Sequence, residues 1–161
     1  MRRKKRLTAV LLTLCLLAAG PSAHAYTVHG YSEGLAQAEE EGKWGFANGS
    51  GEIVIPLQYR SVVSFSLGMA AVNLDGRLGV IRPDGRYLIQ PEYDTLMPIG
   101  YGLYIAQRGE GWGVVSILPF QNEEGKRTQE VYPLTYAGAE LGTSGGLDAL
   151  VLTAEGGGKT V

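Results

Sequence analysis

Paired carboxylates are the first residues of this sequence whose type and spacing fit a known chemistry. Glu92 and Asp94 flank Tyr93, and glycoside hydrolases use two carboxylates as acid and base. The segment around the pair recurs elsewhere in the chain, however, and recurring positions usually serve the fold. We therefore favour a structural role in a turn over a catalytic role for both carboxylates.

A glycine-rich run near the end of the sequence is similar to a phosphate-binding loop. Residues 156–158 are all glycine and precede Lys159 and Thr160. The phosphate-binding motif requires a further glycine at the position of Thr153. Residues 156–160 are therefore interpreted as a turn.

Nucleophilic and metal chemistry both lack the side chains that they need. The chain has two His and one Cys; Cys15 and His24 lie within the first 25 residues, which leaves His29. A catalytic triad needs a base beside its nucleophile, and a His/Cys metal site needs several ligands. The sequence therefore predicts a protein that is not an enzyme, with no catalytic residue, no cofactor-binding residue and no metal ligand.

The first 25 residues have the three parts of a secretory signal peptide. Positive charges at 2–6 precede an uncharged stretch at 7–19, and the small residues Ala23 and Ala25 have the spacing that signal peptidase requires. Cleavage is expected between Ala25 and Tyr26. The uncharged stretch would form a helix about 20 Å long, which is shorter than the roughly 30 Å hydrocarbon core, so a membrane anchor is disfavoured.

Removal of this segment makes the chain acidic. Its five charged residues are all positive, so the 14 Lys and Arg of the whole chain fall to 9 against 16 Asp and Glu, a net charge near −7. Such a chain lacks the basic surface that binds nucleic acid or anionic membranes. We expect a secreted or otherwise extracytoplasmic protein, with no nucleic-acid partner and no stable membrane insertion after cleavage.

Self-similarity with a period of 34 residues organises the rest of the chain. A helical repeat of this length needs two helices of about a dozen residues, and the 24 glycines interrupt the chain too often for them. The predicted fold is all-β: tandem repeats of about 34 residues, made of short antiparallel strands and hairpins, in an open array or with propeller-like curvature. The repeat positions that we interpret as structural are Gly34, Gly68 and Gly102; Trp44, Leu78 and Trp112; Gly45, Gly79 and Gly113; Gly51 and Gly85; Pro56 and Pro91; Tyr59 and Tyr93.

The repeat resolves one ambiguous segment. Residues 32–41 read locally as a helix with Ser32 as its N-cap. Residues 31–36 nevertheless align with 65–70, which lead into a strand before a glycine turn. The alignment therefore predicts a strand at 35–41.

Within one repeat the local pattern predicts hairpins. A strand is expected at 43–47, with Trp44 and Phe46 on one face, followed by a turn. The return strand at 52–55 is expected to end at Pro56, because proline cannot donate a hydrogen bond to a β-ladder.

The recurring positions divide the predicted β domain, residues 31–161, into repeats. The next Pro-x-x-Tyr falls nine residues late, at 133–136, which predicts an insertion near 117–130. The predicted segments are a lead-in at 26–30, a partial unit at 31–41, units at about 42–75, 76–109 and 110–157, and the start of a further unit at 158–161.

Three segments resemble the bacterial WG repeat, which is named after its Trp-Gly pair. They are 42–46 (Gly-Lys-Trp-Gly-Phe), 52–56 (Glu-Ile-Val-Ile-Pro) and 68–72 (Gly-Met-Ala-Ala-Val). The resemblance is good over 31–116 and loose over 131–161. It implies an all-β array, often exported or surface-exposed, and it implies no reaction.

The Trp-Gly pair itself has a physical interpretation. We expect Trp44, Leu78 and Trp112 to form a stacked row in the core. Gly45 lacks a Cβ atom, which would let a neighbouring aromatic side chain lie over its strand.

The role of two tyrosines is left open by the sequence. Tyr101 and Tyr104 are candidates for a surface that stacks against a ligand, and packing between hairpins is the equally weighted alternative.

The favoured function is an exported, non-enzymatic module that binds an unknown protein or the cell envelope. A cell-wall carbohydrate-binding module is the alternative, with cell-wall glycan as its partner, and a secreted hydrolase is the third and least favoured.

Overall fold

The computed structural model describes residues 26–121, 127–144, 147–154 and 159–160. Every regular element in these residues is a β-strand, which confirms the all-β prediction. The first sheet contains β1 (Thr27–Ser32), β2 (Leu35–Glu40), β3 (Lys43–Asn48) and β4 (Ile53–Tyr59). The second contains β5 (Ser61–Val62), β6 (Ala70–Leu74), β7 (Arg77–Ile81) and β8 (Tyr87–Tyr93).

Two further sheets follow in tandem. The third contains β9 (Thr95–Gly100), β10 (Leu103–Arg108), β11 (Gly111–Gln121) and β12 (Arg127–Tyr136). The fourth contains β13 (Gly138–Ser144), β14 (Leu147–Thr153) and β15 (Lys159–Thr160). Within each sheet every strand pairs antiparallel with the next in the chain, so the described strands form four small meanders rather than one closed barrel.

Tight turns between the first two strands of each of the first three sheets explain why residues 35–40 form a strand. Glu33, Leu67 and Tyr101 have φ of 51–52°, and each precedes a glycine that also has positive φ. Two successive positive φ values are characteristic of type I′ turns, whose twist matches that of antiparallel strands. The chain therefore reverses at residues 33–34, so β2 pairs with β1 and no helix begins at Ser32.

The sheets are out of phase with the predicted units. Each of the first three sheets ends on a tyrosine, Tyr59, Tyr93 or Tyr136, and the next strand begins two residues later. The predicted lead-in at 26–30 and partial unit at 31–41 lie in the first two strands of a complete first sheet. A unit such as 42–75 consequently begins in the third strand of one sheet and ends after the second strand of the next.

A close approach between the third and fourth strands explains the Trp-Gly pair. Trp44 pairs with Tyr59 and Phe46 with Ile55, so a step of two residues along β3 corresponds to a step of four residues along β4. A Cβ atom on Gly45 would lie 2.4 Å from the Ile55 carbonyl oxygen and 2.5 Å from that of Pro56. The glycine therefore makes room for the backbone of the neighbouring strand, not for an aromatic ring as the sequence suggested.

Proline also behaves differently from the prediction. β4 runs through Pro56 to Tyr59, and β8 runs through Pro91 to Tyr93. Both strands lie at the edge of their sheets, where a missing N–H group is tolerated, and both prolines lie within a register shift. The prediction that Pro56 ends its strand is therefore wrong.

Neighbouring sheets pack face to face through two apolar clusters. At the first junction, between the first and second sheets, the rings of Phe46 and Phe65 are 4.7 Å apart. At the second junction, between the second and third sheets, Tyr93 packs with Tyr104 and Val115. Val80 faces the second junction and Ile81 the first, as the alternation of side chains along a strand requires. Each sheet thus depends on its neighbour for burial of its apolar side chains, worth about 1.5–3 kcal/mol for each large one.

We expect Gly45→Ala to lower the free energy of unfolding by about 3 kcal/mol, because the added methyl group overlaps two carbonyl groups of β4. Urea denaturation measures this loss. Gly30→Ala is the matched control: its Cβ atom would lie 3.5 Å or more from its neighbours, so its effect should stay within about 0.5 kcal/mol. Equal effects of the two substitutions would contradict the close approach.

Candidate functional site

An apolar groove with a volume of about 290 Å³ lies between the second and third sheets. Met69, Ala71 and Leu78 line it from the second sheet, and Leu96 and Tyr104 are among the residues that line it from the third. The groove is thus formed by strands of both sheets together with the segment at 63–69 that joins β5 to β6. Grooves of this size and apolar character are common binding sites.

Exposed apolar side chains form the rim of the apolar groove. Leu67 is 86% exposed and Val63 is 61% exposed. Leu67 lies at the tip of a tight turn, where its side chain is not part of the junction core. Ser64 and Ser66 add hydroxyl groups, and every residue that lines the groove is uncharged.

The two candidate surface tyrosines have different positions. Tyr101 is fully exposed at the tip of the turn between β9 and β10. Tyr104 is only 9% exposed, packs in the core of the second junction and lines the apolar groove. Of the two equally weighted alternatives for Tyr104, packing between hairpins is therefore the one that the structure has, because its strand position directs the ring between two sheets. Burial also raises the pKa of Tyr104 above its ordinary value.

The three residues of the Trp-Gly column face different surroundings. Trp44 packs against the core of the first junction, and its ring lies 4.8 Å from that of His29 on β1. Leu78 lines the apolar groove of the second junction. Trp112 pairs with Gln107 and Tyr136 in the third sheet. Trp44 and Leu78 therefore serve successive junctions and do not share one stacked row.

Glu92 and Asp94 each contact arginine. Glu92 lies 3.2 Å from Arg108, and Asp94 pairs with Arg77 and accepts a hydrogen bond of 2.7 Å from the Gly109 amide. The Gly109 amide and the Arg77 guanidinium hold the pKa of Asp94 below its usual value. These contacts join neighbouring strands and sheets, which supports the structural interpretation of the two carboxylates.

Arg108 is the centre of a small charged cluster around a buried ring. Its guanidinium also lies 3.2 Å from Glu130 on β12, and its Cζ atom is 5.9 Å from the centre of the Tyr93 ring. Burial, together with the negative charge of Glu92, raises the pKa of Tyr93 to about 12. The cluster thus covers the end of the second-junction core with charged groups.

A second, more polar cleft of about 320 Å³ lies beside the long hairpin of β11 and β12. Arg82 and Arg86 line it from the second sheet, and Leu118 and Gln129 from the third. The Arg86 guanidinium lies 2.9 Å from Asp84, which offsets part of the positive charge. The apolar groove is therefore the stronger candidate for a binding site.

The metal, membrane and phosphate-loop candidates of the sequence have simple outcomes. Within the described residues no group of three or more His, Cys, Asp or Glu side chains could hold a metal ion, and no helix is long and apolar enough to cross a membrane. Lys159 and Thr160 form β15 and pair with β14, so the predicted turn at 156–160 is wrong for these two residues. Its glycines at 156–158 and the signal peptide at 1–25 lie outside the described residues. The tip of the predicted insertion, 122–126, also lies outside them.

The apolar groove was missed in the sequence. Its signal was the leucine at position 78 in a column otherwise occupied by tryptophan, which was interpreted as conservative packing. The exposed Leu67 and Val63 could not be recognised as its rim before the sheet boundaries were known.

We expect the free energy of unfolding to fall as the pH rises from about 10 towards 12. Tyr93 keeps its proton more tightly in the folded state than its usual pKa of 10.0, so this stabilisation is complete below pH 10 and is lost as the pH passes through about 12. Urea denaturation at several pH values measures the slope, which Tyr93→Phe should reduce. Tyr101→Phe, at an exposed turn, is the matched control, and an unchanged slope in Tyr93→Phe would contradict the assignment.

Comparisons with known proteins identify the repeat. Residues 44–77 and 79–112 each match the family model of the WG containing repeat. No curated protein and no solved structure matches the chain significantly. Each matched segment begins in the third strand of one sheet and reaches the third strand of the next, so one sequence repeat joins two sheets. The chain therefore contains WG repeats, with two of them in tandem between residues 44 and 112.

Proposed function

We propose that this chain is an exported, non-enzymatic interaction module that binds a protein partner of the cell envelope through the apolar groove. The groove is the observation that carries the proposal, because its rim leaves Leu67 and Val63 exposed on a small domain. Burial of such side chains in a complex is favourable by about 25 cal/mol for each Å². Repeat arrays commonly offer surfaces of this kind to partners.

The chemistry of the apolar groove favours binding over catalysis. Its lining consists of aliphatic side chains, serine hydroxyls and Tyr104. Tyr104 is the one titratable side chain of this lining, and a tyrosine hydroxyl is protonated near neutral pH, where a general base must accept a proton. The carboxylates once considered for hydrolysis, Glu92 and Asp94, pair with arginines instead.

Export is supported by the sequence alone. The charged start, the short uncharged stretch and the small residues Ala23 and Ala25 together favour a cleaved signal peptide over an anchor. The partner is accordingly sought outside the cytoplasm, in the cell envelope.

The protein recovered from outside the cytoplasm should begin at Tyr26. Intact-mass spectrometry measures this directly. Ala25→Arg should prevent cleavage and leave the leader attached, because signal peptidase requires a small residue at this position. Recovery of the full-length native chain from the membrane would contradict the cleavage.

Binding to purified envelope fragments tests the interaction itself. Saturable co-sedimentation is expected, and Leu67→Glu should weaken it about tenfold, which corresponds to about 1.4 kcal/mol. Leu141→Glu is the matched control, because Leu141 is 62% exposed on β13, in the fourth sheet. Equal binding by both variants would contradict a role for the apolar groove.

The same experiment separates protein partners from glycan. Protease treatment of the envelope fragments should abolish binding if the partner is a protein. Binding that survives the protease, is lost after glycan digestion and is weakened by Tyr101→Ala would instead support the carbohydrate-binding module, whose one favourable observation is the fully exposed ring of Tyr101.

A further inference from the structure

The two sheet junctions use equivalent repeat positions but fill them differently. At the first junction Trp44 packs against the core, and its ring lies 4.8 Å from that of His29. The equivalent residues of the second junction, 34 positions later, are Leu78 and Val63. Both line the apolar groove. The groove therefore occupies the place where two rings meet in the neighbouring junction.

Two hydrogen bonds also hold the first junction together. Gln37 Nε2 donates a hydrogen bond to the Val62 carbonyl oxygen at 3.0 Å, and the Gly68 amide donates one to Glu33 at 2.8 Å. Both bonds connect the first sheet with the second.

The second junction replaces these polar residues as well. Ala71 is equivalent to Gln37, and Leu67 is equivalent to Glu33. Both replacements remove a polar group, and both residues line the apolar groove. Four equivalent positions thus change together from bulky or polar to smaller or apolar.

We propose that the apolar groove binds a tryptophan side chain from an extended segment of the partner protein, an inference that rests on the proposed function. The groove continues the packed core of the second junction, since Met69, Leu96 and Tyr104 contribute to both. An indole ring in the groove completes that interface in the way that Trp44 completes the first one. The uncharged lining matches an uncharged ring, and the hydroxyls of Ser64 and Ser66 are acceptors for its N–H group.

Titration of the protein with N-acetyl-tryptophanamide tests this occupant. Amide chemical shifts should change saturably at Met69, Ala71 and Leu96, and binding should be at least tenfold tighter than that of N-acetyl-leucinamide. No saturable binding, equal affinities, or shifts confined to another part of the chain would each overturn the proposal.

Leu78→Trp gives the sharpest variant, because it places in the groove the residue that positions 44 and 112 already carry. It should abolish binding of N-acetyl-tryptophanamide without lowering the melting temperature. Leu141→Trp, in the fourth sheet, is the matched control and should bind as the native protein does. Ala71→Gln is the second variant, which narrows the groove if Leu78→Trp fails to fold. Native affinity in a folded Leu78→Trp protein would overturn the proposal.

The outcomes separate this inference from the proposed function. If the indole compound does not bind but envelope binding remains sensitive to Leu67→Glu, the occupant is wrong and the function stands. If the compound binds in the groove but the envelope does not, the function is wrong. If the protein self-associates and Leu78→Trp abolishes this self-association, the occupant of the groove is a second copy of the chain. That result would overturn the proposal that the occupant comes from a partner protein.

Discussion

The close approach between a glycine and the backbone of the next strand is the constraint on which the rest of the structure depends. Cβ atoms on Gly45 and Gly113 would lie 2.4 and 2.5 Å from a carbonyl oxygen of the neighbouring strand, and one on Gly79 would lie 2.8 Å away. No other residue fits at these distances. Because the same register shift accompanies each glycine, it fixes how the third and fourth strands of a sheet meet. In this register the tyrosine that ends each of these sheets pairs with the residue before the glycine.

This local constraint determines how the sheets pack. Residues after the glycine alternate between the two faces of the strand, so Val80 serves one junction and Ile81 the other. The residue before the glycine then points into a junction at a defined place, whether it is Trp44 or Leu78. A change at that position alters the junction without moving the strands, since the register depends on the glycine. A groove can therefore form in one junction while the frame of the array is kept.

The period of 34 residues was sufficient to predict the all-β class and the strand after residue 34, because turns and apolar residues recur with it. It did not predict β1, part of which lies where only a lead-in was expected. The phase of the sheets was not predictable, since a period defines spacing but not where a sheet begins. Pro56 was interpreted as the end of a strand because the local rule ignores edge positions. The position of Tyr104 stayed open between a core and a surface, because a tyrosine in a short strand has the same sequence signature in both. The groove needed knowledge of which residues face one another across a junction.

The two junctions are also stabilised by different polar contacts, which explains how the second one tolerates an open groove. At the first junction the cross-sheet hydrogen bonds of Gln37 and Glu33 lie near the first two strands of each sheet. At the second junction Arg108 pairs with Glu92 on β8, and Gln129 donates a hydrogen bond of 2.6 Å to the Leu88 carbonyl oxygen, near the fourth strands. None of the residues that make these polar contacts lines the apolar groove. Side chains around Leu78 are consequently free to change in size and polarity at little cost to the junction, and a binding surface can be built there.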